Sequence, residues 1–212
     1  MSEIKINSLS KVIKKKTILD NISYQFNSGK IYGLYGRNGS GKTMLLRAIS
    51  GLIFPTEGEI YIDDKLMHKD IGFPPSVGII IENSGLLPQY DGFTNLKILS
   101  KIKQMASDDD IRKAIEQVGL DPMSKAKVKT YSLGMRQKLS IAQAIFEKPK
   151  LLLLDEPSNA LDEESINNLR NLLIKLRDQG TTIIIASHNK EDIEILSDYK
   201  IKMVDGKMIV EE

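Results

Sequence analysis

Gly36-Arg37-Asn38-Gly39-Ser40-Gly41-Lys42-Thr43 is the stretch on which the fold turns. Ile31–Tyr35 precedes it, apolar and of the length of a buried strand. Lys42–Ser50 follows, with Leu45, Leu46 and Ile49 at helical spacing and Gly51 as the stop. Gly36, Gly41, Lys42 and Thr43 satisfy the P-loop pattern in its required setting, after a strand and opening a helix. Its glycines let successive backbone N–H groups face inward around phosphate oxygens. The helix N-terminus adds partial positive charge. Lys42 is long enough to reach β and γ phosphates, and the Thr43 hydroxyl is a ligand type for Mg²⁺. The stretch therefore predicts a nucleoside triphosphate site, with Met44 next in the helix.

Working outward, Ile22, Tyr24 and Phe26 alternate with polar residues as in a half-buried strand. Pro55–Gly58 reads as a turn before the strand Glu59–Ile62, and Val77–Ile81 as a further buried strand. From about Ser84 to Pro149 strand signals give way to helical patterns at Thr94–Met105, Asp109–Val118 and Leu133–Glu147. Leu151–Leu154 returns to strand; Ile166, Leu169, Leu173 and Leu176 form one helix face; Thr181–Ser187 is a β-branched strand. Tyr199–Val210, with Asp205-Gly206 in its middle, reads as a hairpin. The prediction is an α/β fold: a P-loop core with a mainly parallel sheet, an N-terminal antiparallel β subdomain and an inserted α-helical subdomain. The core is expected to comprise 1–83 and 150–212, the insertion 84–149.

Composition narrows the classes. The 212 residues suffice for one such domain with its insertion. There is no cysteine, which excludes disulfides, thiolate metal sites and cysteine nucleophiles and fits a reducing cytosol. A net charge of +2 predicts no nucleic-acid partner. No apolar run approaches the roughly 20 residues of a membrane helix, and Met1–Lys5 does not open a signal peptide, so a cytoplasmic chain is expected.

The second half of a P-loop site is a carboxylate at a strand end. Asp155, after the leucine run, is the candidate to hold Mg²⁺, and Glu156 the candidate to orient or deprotonate the attacking water. His188 follows the Thr181–Ser187 strand. A parallel sheet would bring it to the same edge, where it could contact the γ-phosphate.

Tyr131-Ser132-Leu133-Gly134-Met135-Arg136-Gln137-Lys138, read alone, is the start of a capped amphipathic helix, with Ser132 as the cap. Together with the P-loop, Asp155-Glu156, Ser158-Asn159-Ala160-Leu161-Asp162 and His188, it resembles the signature of ATP-binding cassette (ABC) ATPases, over essentially the whole chain. The variant Tyr-Ser-Leu-Gly-Met is similar to ATPases of bacterial exporters of the bacitracin and lantibiotic-resistance type. The resemblance implies an ATP hydrolase that pairs head to tail with a second subunit, a homodimer, around two ATP. Ser132, Leu133, Gly134 and Met135 would serve the opposite subunit's ATP, and Asp162 would couple the two sites at the seam. Lys42, Glu156 and His188 would be the catalytic set. A separate membrane permease would hold the subunit at the inner face of the membrane. Leu86, Leu87, Tyr90 and Phe93 either line the docking groove for it or pack under the insertion.

Leu133 and Met135 stand where the family's signature usually has a second glycine and a glutamine, and two further positions depart from the family pattern. Glu82 occupies the slot of a glutamine that bridges Mg²⁺, and its charge predicts weaker nucleotide binding without Mg²⁺ than Glu82→Gln would show. Ile13 occupies the slot of an aromatic ring that stacks on adenine, which predicts poor discrimination between ATP and GTP. Soluble ABC-type ATPases acting on DNA or the ribosome are the main alternative. They usually carry coiled-coil arms or two cassettes, and this chain has neither a long heptad tract nor a basic stripe. A P-loop kinase is disfavoured by the signature and by Glu156-Pro157.

Overall fold

A computed structural model of the chain describes residues 2–82 and 85–210. Its centre is β3 (Ile31–Tyr35), where all five residues are buried. On one side β3 pairs in parallel with β8 (Thr182–Ser187), then come β7 (Leu151–Asp155) and β6 (Val77–Ile80), all parallel. On the other side it pairs in parallel with β9 (Tyr199–Val204), whose antiparallel partner β10 (Lys207–Val210) closes the six-stranded sheet. The expected hairpin at Asp205-Gly206 is this β9–β10 pair.

The leucine run shows why the sheet lies inside. Leu152 and Leu154 face one hydrophobic cluster, and Leu151 and Leu153 face the other. Ile183 and Ile185 alternate with Ile184 and Ala186 in the same way. Apolar residues on both faces are what a parallel sheet covered on both sides demands. One cover is α1 (Lys42–Ile49) with a four-stranded antiparallel sheet: β2 (Lys16–Phe26), β1 (Ile4–Ile13), β4 (Glu57–Ile62) and β5 (Lys65–Leu66), in that order. The other is helical: α2 (Gly92–Lys103), α3 (Asp108–Gln117) and α4 (Leu133–Ile145) between β6 and β7, then α5 (Glu163–Asp178) and α6 (Lys190–Leu196).

Two helices begin one or two residues before the expected points, and their caps explain it. Asp91 accepts from the Thr94 N–H, so α2 starts at Gly92 rather than Thr94. Ser107 and Asp110 form a reciprocal capping box that opens α3 at Asp108. Ser132 caps α4 as expected, accepting from Met135 N–H at 3.2 Å. Ser84, the expected first residue of the insertion, lies outside the described residues.

Candidate active site

Parallel pairing brings the strand ends to one edge. Tyr35 is level with Ser187, and Asp155 with Ala186. The chain therefore steps off β3, β7 and β8 into Gly36, Glu156 and His188 on the same side of the sheet, the side where ligands bind in such folds.

The loop after β3 curls round its own lysine. The buried Lys42 ammonium donates to the Gly36 carbonyl at 2.8 Å and the Arg37 carbonyl at 3.3 Å. Gly36 has φ +149°, and a Cβ there would lie 2.3 Å from the Met203 carbonyl oxygen, so no other residue fits. Ser40 N–H donates to Arg37 at 3.1 Å, and Gly206 N–H to Ser40 at 2.9 Å, tying the loop to the β9–β10 turn. A groove of about 340 Å³ opens beside it, lined by Lys16, Ile18, Asn38, Gly39, Gly41 and Met44 and by the reactive groups Lys42, Thr43, Asp155 and Glu156. A larger cavity of about 600 Å³ lies across the loop, lined by Arg37, His188, Lys190, Lys202 and Asp205 among others. The hydroxyl and carboxylates that suit a metal–phosphate complex face the smaller one.

The Thr43 hydroxyl donates to an Asp155 carboxylate oxygen at 2.7 Å. Burial pushes the Asp155 carboxyl above its ordinary range; the Thr43 bond and Lys42 pull it down, while Glu156 and Glu82 push it further up. A hydroxyl and a carboxylate side by side in surplus negative charge are a fitting donor set for Mg²⁺. Among the described residues no group of three or more carboxylates and imidazoles forms a complete cage.

Glu156 has a left-handed backbone, φ 49°. Its carboxylate accepts from His188 N–H at 2.9 Å and from Ser187 Oγ at 3.3 Å, and lies 2.8 Å from His188 Nδ1. Lys42, Asp155 and Glu156 thus line one groove, and Glu156 is bonded to His188, which lines the larger cavity, with Ser187 an added partner. Nothing in the local sequence distinguished Ser187 from any strand-end serine.

Other candidates fall elsewhere. Glu82, also left-handed, pairs with Arg47 of α1 at 2.5 Å. Ile13 ends β1, exposed, beside the turn at Lys14 and Lys15, and the groove wall on that side is Lys16 and Ile18. Leu133 is 70% exposed, and with Ser132, Gly134 and Met135 it opens α4. Asp162 caps α5, accepting from Ser165 N–H at 2.8 Å, and the bonds from Ser165 hold its carboxyl below the usual range. Leu86 lines a cavity of about 430 Å³ that also holds Leu133 and Arg136. Leu86 and Phe93 also pack on the helical-side core; Tyr90 is exposed, and Leu87 N–H donates to Asn95.

A strand-borne glycine loop facing two carboxylates at the edge of a parallel sheet defines a P-loop nucleotide-binding domain. The family model described as ABC transporter matches residues 19–159, and the chain belongs to that family. It is an ATP-hydrolysing ABC cassette. It is 59% identical to an uncharacterized ABC transporter ATP-binding protein, YybJ, of Bacillus subtilis, covering 99% of this chain and 96% of that one. It is 40% identical to the bacitracin transport ATP-binding protein BcrA of Enterococcus faecalis (98% and 68% covered). Against the lantibiotic transport ATP-binding protein SrtF of Streptococcus pyogenes it is 35% identical (99% and 90%). Its fold matches the dimeric cassette MJ0796, a bacterial ABC transporter cassette, with a TM-score of 0.89 at 25% identity, covering 99% and 97% of the two chains.

Proposed function

We propose that this chain is the motor subunit of an exporter, closing as a homodimer around two ATP and driving a separate membrane permease. The observation that carries this reading is the facing of Lys42, Thr43, Asp155 and Glu156 on one groove, with His188 bonded to Glu156. The loop residues Gly36 to Thr43 and Met44 hold the phosphates. Lys42 leaves the Gly36 and Arg37 carbonyls for phosphate oxygens. Glu156 orients and deprotonates the attacking water, and His188 keeps the carboxylate in line. Thr43 and Asp155 hold Mg²⁺, which supplies the positive charge that phosphoryl transfer needs. Glu82, near enough to act on the Asp155 carboxyl, stands at the edge of this set.

Ser132, Leu133, Gly134 and Met135 of one subunit complete the cage around the other's ATP, and Asp162 sits at the seam. The exposure of Leu133 at a helix start supports a covering partner. The segment 84–149 works as the helical unit against the core of 1–83 and 150–212, and the permease docks near Leu86, Leu87, Tyr90 and Phe93. Among the described residues no helix is long and apolar enough to cross a membrane. In this reading the permease is a separate chain that holds this one at the cytoplasmic face. The bacitracin and lantibiotic transport relatives support export. With Ile18 and the Lys16 stem at the groove wall, and Ile13 nearby, the base meets no aromatic ring, and selection for adenine is weak.

The test is Glu156→Gln in steady-state hydrolysis and nucleotide binding. Turnover should fall by about 10²- to 10⁴-fold with ATP still bound and the dimer trapped. Turnover at the unaltered rate would remove Glu156 from the chemistry.

A further inference from the structure

The turn that carries Glu156 is held from the side by α4. Gln137, in the second turn of that helix, directs its side-chain amide at the backbone of this turn. Its Nε2 donates to the Pro157 carbonyl at 2.9 Å and lies 3.4 Å from the Glu156 carbonyl. Both partners are carbonyl oxygens, which only accept, so the amide nitrogen must face them. A second contact joins the same two segments. A Cβ on Gly134 would stand 2.8 Å from the Ala160 carbonyl oxygen, so the start of α4 and the Glu156–Asp162 segment meet backbone to backbone.

Glu156 needs such support. A residue with a Cβ adopts a left-handed backbone only where its surroundings over-determine it. On the sheet side its N–H is anchored to the Ala186 carbonyl at 2.8 Å. Its carbonyl accepts from Asn159 N–H at 3.2 Å within the turn. From outside the turn, the donor on the α4 side is Gln137, and the carboxylate is aimed by the backbone so held.

We propose that Gln137 is a positioning residue for Glu156, and that its amide links the start of α4 to the carboxylate acting on this chain's own nucleotide. The proposal rests on the reading of Glu156 as the group that activates water. In the paired subunits, residues 132–135 meet one ATP while Glu156 serves the other. The Gln137 bond therefore makes the setting of one carboxylate depend on what sits at the start of the same helix. Loss of the amide donor frees the Pro157 carbonyl, lets the turn relax and moves the carboxylate off line without touching the phosphate loop.

The experiment measures ATP hydrolysis by the full chain over a range of ATP concentrations, with thermal unfolding in parallel. Gln137→Met keeps length and volume but has no donor; Gln137→Lys keeps a donor. For Gln137→Met, kcat should fall about tenfold, with KM within about twofold and Tm within about 2 °C of the unaltered protein. Gln137→Lys should recover at least about a third of the lost rate. Unaltered kcat in Gln137→Met overturns the proposal, as does a rise in KM alone. So does a fall in Tm alongside kcat that Gln137→Lys fails to restore, because that marks a merely structural contact. If Gln137→Met does not fold, Gln137→Lys decides: kcat within about threefold of the unaltered value supports the proposal, and a larger loss overturns it. Glu156→Gln is run beside them. Full activity in that variant would sink the reading of Glu156 itself, whatever the Gln137 variants do.

Discussion

Replacing Asp192 by alanine removes the carboxylate at the centre of a buried network. The Asp192 side chain is 5% exposed and that of Arg170 16% exposed. Arg170 donates twice to one oxygen of Asp192, at 2.7 and 3.1 Å, and Ser158 Oγ donates to the other at 2.7 Å. Truncating one member of a buried ion pair costs about 3–5 kcal/mol, mostly from the charge left behind. Here Glu191 stands 3.6 Å from Arg170 and can take over part of the pairing, which puts the cost at the lower end, about 3 kcal/mol. For a chain of this length that lowers Tm by about 6–12 °C. Urea and thermal unfolding measure it, and Asp192→Leu, Arg170→Met and the two combined make a cycle beside it. The double variant should be less destabilised than Asp192→Ala alone, since it strands no charge. Ser158 is two residues past Glu156, so the rate of hydrolysis should fall as well. A loss under 1 kcal/mol, or a double variant whose effects simply add, would refute the network.

Three further outcomes are expected. Because burial holds the Asp155 carboxyl above its unfolded value, the folded chain binds this proton more tightly. Its contribution to stability therefore falls as pH rises from the ordinary carboxylate range through the raised folded value. Asp155→Asn should flatten that slope and stabilise the nucleotide-free protein by about 1 kcal/mol at neutral pH, as seen by urea unfolding from pH 4 to 7; an unchanged slope would contradict it. Glu82→Gln should tighten ATP binding in chelator only about two- to threefold in a fluorescence titration, because Arg47 already offsets the charge; a tenfold gain or none would count against this. Hydrolysis should show kcat/KM for GTP within about tenfold of ATP, and a much larger preference for ATP would mean a base contact beyond Ile18 and Lys16.

The elements that position the site could be read locally. Leu151–Leu154 needs both faces buried, and Gly36–Thr43 has one folded use, so both were legible from composition and spacing. α6 was not anticipated, since seven residues after the Asn189 cap give too little periodicity to stand out. The long-range pairs were beyond reach for a different reason. Nothing near Arg47 points to Glu82, nothing near Asp192 points to Arg170 and Ser158, and a glutamine in mid-helix looks solvated until the Pro157 carbonyl is placed beside it. Family register pointed to Ile13 for the base; in the structure Ile13 pairs across the β1–β2 hairpin with Lys16, which lines the groove with Ile18.

The lysine of the phosphate loop begins with its needs already met, by the Gly36 and Arg37 oxygens. An arriving anion must therefore compete for that ammonium rather than find it vacant. Chloride is a single atom and cannot both replace two carbonyls and engage the loop's N–H groups at once. A chain of phosphates can do both. The two carbonyls thus set a threshold that a polyphosphate clears and a halide does not.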